Sequence, residues 1–140
     1  MKILVPVDMS ETSRATIEKL KQNSAFLPPG HLVLLHVVDL EKLAYRMIPD
    51  FQLEMIREQA VKTAGEFLEK RAGELREAGL TAESRLEIGS PREIIPRISN
   101  EEHFGLFVIG RRYAGEIRDV LFGSVANYAL HRVKCPVLLF

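Results

Sequence analysis

Five short apolar runs mark the chain: Lys2 to Val7, Leu32 to Val38, Ala82 to Ile88, Leu106 to Ile109 and Pro136 to Phe140. Four are apolar almost throughout, as strands of a parallel sheet are when helices cover both faces. The third alternates, with Ala82, Ser84, Leu86 and Ile88 against Glu83, Arg85 and Glu87. That period of two predicts a half-exposed strand at a sheet edge.

Between the runs, apolar residues recur every three or four positions, and the helices this predicts carry readable ends. Ser10 can cap a helix to about Phe26, with Ala15, Ile17 and Leu20 inward. The longest helix is expected from about Asp50 to Ala78. Leu53, Ile56, Ala60, Ala64, Phe67, Leu68 and Leu75 form its apolar stripe. Gly79 stands at the place of a C-terminal cap. Ser90-Pro91-Arg92-Glu93 reads as a capping box with proline at the first helical position. Pro96, a turn later, predicts a short or bent helix. Ser124 caps the last helix, which ends before Pro136. The segment from Leu40 to Pro49 is the one long connection. Strict alternation of strand and helix predicts an α/β fold: a parallel sheet with helices on both faces and right-handed crossovers.

Composition narrows the class. The chain has 140 residues, the size of one ordinary domain, so residues 1–140 are expected to form a single unit. A single cysteine, Cys135, excludes an internal disulfide framework. Nineteen basic residues balance nineteen acidic ones. No basic stripe of the kind a phosphate-backbone binder needs is visible, so no nucleic-acid partner is expected. The first apolar run is broken by Asp8 and is too short for a signal segment, and no stretch approaches a bilayer span. A cytoplasmic protein without membrane contact is the expectation.

In open parallel sheets, ligands bind beyond the carboxyl ends of the strands, where strand order reverses. Asp8 follows the first strand there. Its carboxylate can accept hydrogen bonds from a ligand, or it can serve only the amides of the next helix. Gly110 follows the fourth strand, and Gly123-Ser124 precede the last helix. Glycines allow close backbone approach, a helix start offers amides to an anion, and Arg111 or Arg112 can add charge. The alternative is a turn glycine and an ordinary serine cap. No P-loop, dinucleotide fingerprint, HExxH or GxSxG is present. His31, His36, His103 and His131 are scattered, with His36 expected as a satisfied core residue and Cys135 as a small packing residue. A phosphorylated receiver domain is disfavoured: Met9 follows Asp8, and the third strand ends in Gly89, not aspartate.

Several pieces, in order, resemble the universal stress protein family. They are Val5-Pro6-Val7-Asp8 with Ser10; Leu35-His36-Val37-Val38; Gly89-Ser90-Pro91; Val108-Ile109-Gly110; Leu121 to Val125; and Cys135 to Leu139. The resemblance implies a doubly wound five-stranded sheet of order 3-2-1-4-5. It also implies an adenine nucleotide site, ATP or AMP, with Mg²⁺ accompanying a triphosphate. Pro6, Val7, Asp8 and Val37 would surround the adenosine; Ile109, Gly110, Arg112, Gly123, Ser124 and Val125 would face ribose and phosphates. The family's ATP motif is Gly, two residues, Gly, nine residues, Gly, then Ser or Thr. Gly110, Gly123 and Ser124 fit it, whereas Tyr113 replaces the middle glycine and Gly115 lies two residues late. With no general base to name, any ATP hydrolysis is expected to be slow. The resemblance further implies a homodimer through the edge strand Val137 to Phe140. The function implied is a dimeric, stress-response nucleotide-binding module. The alternative, favoured by Tyr113, is a nucleotide-free regulatory or interaction protein of the same fold.

Overall fold

The five runs form the five strands of one sheet, all parallel, in the order β3-β2-β1-β4-β5. The computed structural model describes residues 1–41, 49–111 and 124–140. Along the chain it comprises β1 (Lys2–Pro6), α1 (Glu11–Gln22), a 3₁₀ turn (Ser24–Phe26), β2 (His31–Val38) and α2 (Asp50–Glu77). There follow β3 (Ala82–Ile88), α3 (Pro91–Glu101), β4 (Leu106–Ile109), α4 (Ser124–Leu130) and β5 (Val137–Leu139). Most of the Leu40 to Pro49 connection lies outside the described residues.

Each strand of the centre alternates between two apolar layers, because successive side chains leave opposite faces of a sheet. Ile3, Val5 and Val7 of the first strand pack with Leu32 and Leu34 against Ile17 and Leu20 of α1 and Leu68 and Leu75 of α2. Leu4 turns the other way, joining Val33, Leu35, Phe107 and Ile109 against Ile94, Ile95 and Ile98 of α3 and Ala129 of α4. Burial on both faces is why these runs carry almost no polar residue.

The helices follow local chemistry, with four departures from the sequence pattern. The first helix stops at Gln22, not near Phe26; the Asn23 amide and side chain both bond the Lys19 carbonyl, and the chain tightens into the 3₁₀ turn. Thr16, not Ala15, joins Ile17 and Leu20 in its buried face. In α2 only Ala64, Leu68, Ala72 and Leu75 are buried; Ile56 in the first half of the stripe is exposed, since that half runs past the sheet. Its end is as expected: Gly79 adopts φ +88°, with Leu80 N–H donating to Leu75 O and Gly79 N–H to Arg76 O. The capping box at α3 does not close. Ser90 makes no side-chain cap bond, because the Glu93 amide donates instead to the Ser90 carbonyl (3.1 Å). The short helix Pro91–Glu101 tolerates Pro96 within it.

The outer strands differ in how they meet solvent. On β3, Arg85 bonds Glu102 (2.7 Å) and Glu87 (2.9 Å), covering that edge with charge. The Arg85 hydrogen bond holds the Glu102 carboxyl below its ordinary range. Glu69 is likewise lowered, first by the Ser84 hydroxyl and then by Arg76. By contrast β5 is three residues long, and Val137 (36%) and Leu139 (44%) are exposed.

Candidate functional site

β1 and β4 lie side by side, but their connections diverge. From β1 the chain crosses through α1 to β2 on one side; from β4 it continues through α4 to β5 on the other. The divergence opens a crevice beyond the carboxyl ends of the strands. A cavity of about 420 Å³ occupies it, within the usual range of small-molecule sites of ~300–1,000 Å³. Pro6, Val7, Asp8, Val37, Ile109, Gly110, Ser124 and Val125 all line it. Arg112, Tyr113, Gly115 and Gly123 lie outside the described residues. Its remaining wall includes Ser10, Ser13 and Thr16 from α1 and its cap, His36 from β2, and Ile95 from α3.

Asp8 serves the turn into the first helix. Its Oδ1 accepts from the Ser10 amide (2.8 Å) and the Ser13 hydroxyl (3.0 Å), while its own amide donates to Ser13 Oγ (2.9 Å). Ser10 Oγ accepts from the Ser13 amide (3.2 Å) and caps α1. The network fixes the turn from strand to helix. Among the described residues nothing bonds Oδ2, and the side chain is exposed at the cavity, so the second oxygen is available to an acceptor-seeking ligand.

Gly110 also serves the fold. A Cβ there would lie 1.9 Å from Thr16 Oγ1, so a side chain at the end of β4 would force the Thr16 hydroxyl or α1 to shift. Thr16 is 4% exposed and donates its hydroxyl to the Thr12 carbonyl (2.8 Å). The sequence pattern offered ligand approach or a turn for this glycine, and missed its tight contact with Thr16.

The pairing of β1 with β2 stops halfway through a repeat. Val7 N–H donates to Leu35 O (2.9 Å), the usual parallel bond. The Val7 carbonyl would then accept from the Val37 amide. It is met instead by His36 Nδ1 at 2.8 Å. A carbonyl only accepts, so Nδ1 carries the proton. Among the described residues, no backbone or side-chain bond reaches the Val37 amide or carbonyl from the β1 side. In a parallel ladder a residue's N–H and C=O leave the strand on the same side, so Val37 presents a donor and an acceptor together at the cavity. His36 is thus satisfied, as expected, but half-buried in the cavity wall and not in the core. The run Leu35-His36-Val37 held the signal: one imidazole within the otherwise apolar run Leu32 to Val38.

Cys135 packs in the α3–α4 layer, with its sulfur 3.6 Å from Ser99 Oγ. Among the described residues no group of three or more His, Cys, Asp or Glu side chains gathers to hold a metal, and no helix is long and apolar enough to cross a membrane.

The chain resembles known proteins over its full length. It is 24% identical to a universal stress protein of Methanocaldococcus jannaschii, covering 99% of this chain and 93% of that one. It is 27% identical to the universal stress protein YxiE of Bacillus subtilis, covering 99% and 97%. The solved structure of the Methanocaldococcus protein superposes with a TM-score of 0.80 at 25% identity, over 99% of this chain and 93% of that one. An Arabidopsis thaliana family protein with AMP bound superposes at 0.71, with 17% identity over 100% and 90%. The profile of the Universal stress protein family matches residues 1–140, and with a 3-2-1-4-5 sheet folded around that crevice the chain belongs to the universal stress protein family.

Proposed function

We propose that this protein is a single-domain adenine-nucleotide-binding module, taking AMP or ATP in the crevice between β1 and β4. One observation carries the reading: the cavity at the strand reversal is bordered by the paired donor and acceptor of Val37. The adenine edge carries a ring nitrogen acceptor beside an amino donor, the complement of a backbone N–H beside a C=O. Guanine presents the reverse order at the same edge and is expected to bind poorly. Val7, Ile109 and Val125 offer apolar surface to the rings, and Asp8 Oδ2 an acceptor for an amino group or ribose hydroxyl. Gly110, Arg112, Gly123 and Ser124 are assigned to the ribose and phosphates, and Mg²⁺ would be held mainly by the phosphates of ATP. Family members of this fold have been solved with AMP and with cAMP.

The module is read as cytoplasmic, and as a homodimer joined along Val137 to Phe140, where the exposed apolar edge of β5 calls for a partner strand. Its role is read as binding, with at most slow ATP hydrolysis.

Titration calorimetry with AMP and with MgATP tests this, beside Gly123→Val and Tyr113→Gly. Saturable binding to the natural chain, lost in Gly123→Val, is expected. A second reading follows from Tyr113 in place of the motif's middle glycine: a nucleotide-free regulatory scaffold. Its signature is no binding to the natural chain and binding gained in Tyr113→Gly.

A further inference from the structure

We infer that His36 is a positioning residue that keeps the β1–β2 ladder from closing, so that the backbone edge of Val37 stays available to a ligand. The inference rests on the nucleotide-binding reading for its purpose, but not for its geometry.

The register Pro6↔Leu35 continues to Val7 opposite His36. In a parallel pair, the residue opposite His36 donates to the carbonyl of residue 35 and accepts from the amide of residue 37. The first bond is made, Val7 N–H to Leu35 O at 2.9 Å. The second is not: the imidazole of the intervening residue takes the Val7 carbonyl at 2.8 Å. On its other side β2 remains fully paired, with Val37 opposite Glu87 and Val38 opposite Ile88, so the strand itself is in regular register to its end. β2 has not turned away here: the chain leaves β1 for the turn at Asp8, and the imidazole meets the carbonyl that the next ladder bond would use.

Competition for one carbonyl is the device. Buried backbone groups seek partners strongly, and Val37 is 7% exposed. Without the imidazole donor, the Val7 carbonyl and the Val37 amide are each other's nearest complement. Their pairing would extend β1 by one residue and consume the donor that a ligand needs. A side chain that donates at the reach of Nδ1 prevents this, while one of similar bulk that cannot donate does not. Asparagine, whose amide nitrogen stands at the same bond count from the backbone as Nδ1, is the conservative replacement.

The test uses the full chain and three proteins: the natural one, His36→Phe and His36→Asn. Residue-resolved amide hydrogen exchange by NMR is measured first, without ligand. The Val37 amide should exchange readily in the natural chain and in His36→Asn. In His36→Phe it should be protected by about tenfold or more, the factor that corresponds to about 1.4 kcal/mol. A Val37 amide already protected in the natural chain, or equally unprotected in His36→Phe, overturns the inference. Nitrogen-15 shifts of the His36 ring in the natural chain give a check that needs no variant. A proton on Nδ1 is expected, and the Nε2–H tautomer sinks the idea. AMP titration follows: affinity should fall about tenfold in His36→Phe and return in His36→Asn, whereas undiminished binding by a folded His36→Phe overturns the inference. If the natural chain takes no AMP, the nucleotide reading fails alone, and the exchange comparison still decides the role of His36.

Discussion

Replacing Gly110 by alanine tests how tightly the end of β4 is fitted to α1. The added Cβ would stand 1.9 Å from Thr16 Oγ1, 3.3 Å from Thr16 Cβ and 3.4 Å from the Thr12 carbonyl. Only the first contact is prohibitive. It can be relieved in two ways. The Thr16 hydroxyl can rotate and lose its bond to Thr12 O in a buried place, at about 1–3 kcal/mol for the group left without a partner. Alternatively α1 can move off the sheet, an overpacking cost of about 1–3 kcal/mol. Against either stands a gain of about 0.4–1 kcal/mol from the stiffer unfolded chain. A net loss of about 1–2 kcal/mol is expected, or roughly 3–10 °C in melting temperature for a chain of this size. Urea denaturation of the single variants and of Gly110→Ala/Thr16→Ala forms a double-mutant cycle. Thr16→Ala removes the oxygen and leaves only the contacts near 3.3 Å, so in that background Gly110→Ala should cost less than about 0.5 kcal/mol. Additive costs would refute the steric argument. The double variant also separates two uses of Gly110: if its stability returns but AMP affinity does not, the glycine serves the ligand as well.

Asp8→Asn keeps an acceptor for Ser10 and Ser13 but removes the charge, so its stability should change by less than about 0.5 kcal/mol, whereas Asp8→Ala should lose about 1 kcal/mol. Equal denaturation midpoints for the two variants would contradict the capping role. Glu102 has a folded pKa below its ordinary 4.5, so the stability it contributes is present above about pH 4.5 and lost as pH falls through the depressed value. Glu102→Gln should therefore flatten the acid limb of a urea-midpoint profile between pH 7 and pH 3; an unchanged slope counts against the Arg85 pairing. Charging the exposed edge with Val137→Lys and Leu139→Lys should turn a dimer into a folded monomer in light scattering, and a monomeric natural chain at micromolar concentration would end the dimer proposal.

The layers were legible in the sequence because burial on both faces leaves only apolar residues in the central strands, and the alternation in β3 marks its edge position; the full strand order followed from the family resemblance. Element ends were less so. The stop of α1 at Gln22 depends on Asn23 reaching the Lys19 carbonyl, and the open capping box at Ser90 on which atom the Glu93 amide selects. Such choices are made between bonds of similar strength, and a residue pattern does not rank them. Among candidate site residues, Asp8, Gly110 and Ser124 were identifiable by chain position, and Pro6, Val7, Val37, Ile109 and Val125 through the family resemblance; all converge on one cavity. His36 and Thr16 were not assigned to it. Each acts there through a contact with a residue distant in sequence or on the next element, Val7 and Gly110, that periodicity does not encode.

The central place of β1 bears on how the chain acquires its structure during synthesis. Ile3 pairs with Leu32 on one side and with Leu106 on the other. The first strand of this sheet to be made is thus among the last to be enclosed, and until β4 is made it offers a bare edge of Ile3, Leu4 and Val5. Closing a loop of that length is slow relative to local hairpins or helices, and unpaired apolar edges are where nascent chains associate wrongly. Truncated chains that end before β4 are expected to bind holding chaperones, and release to follow completion of β4.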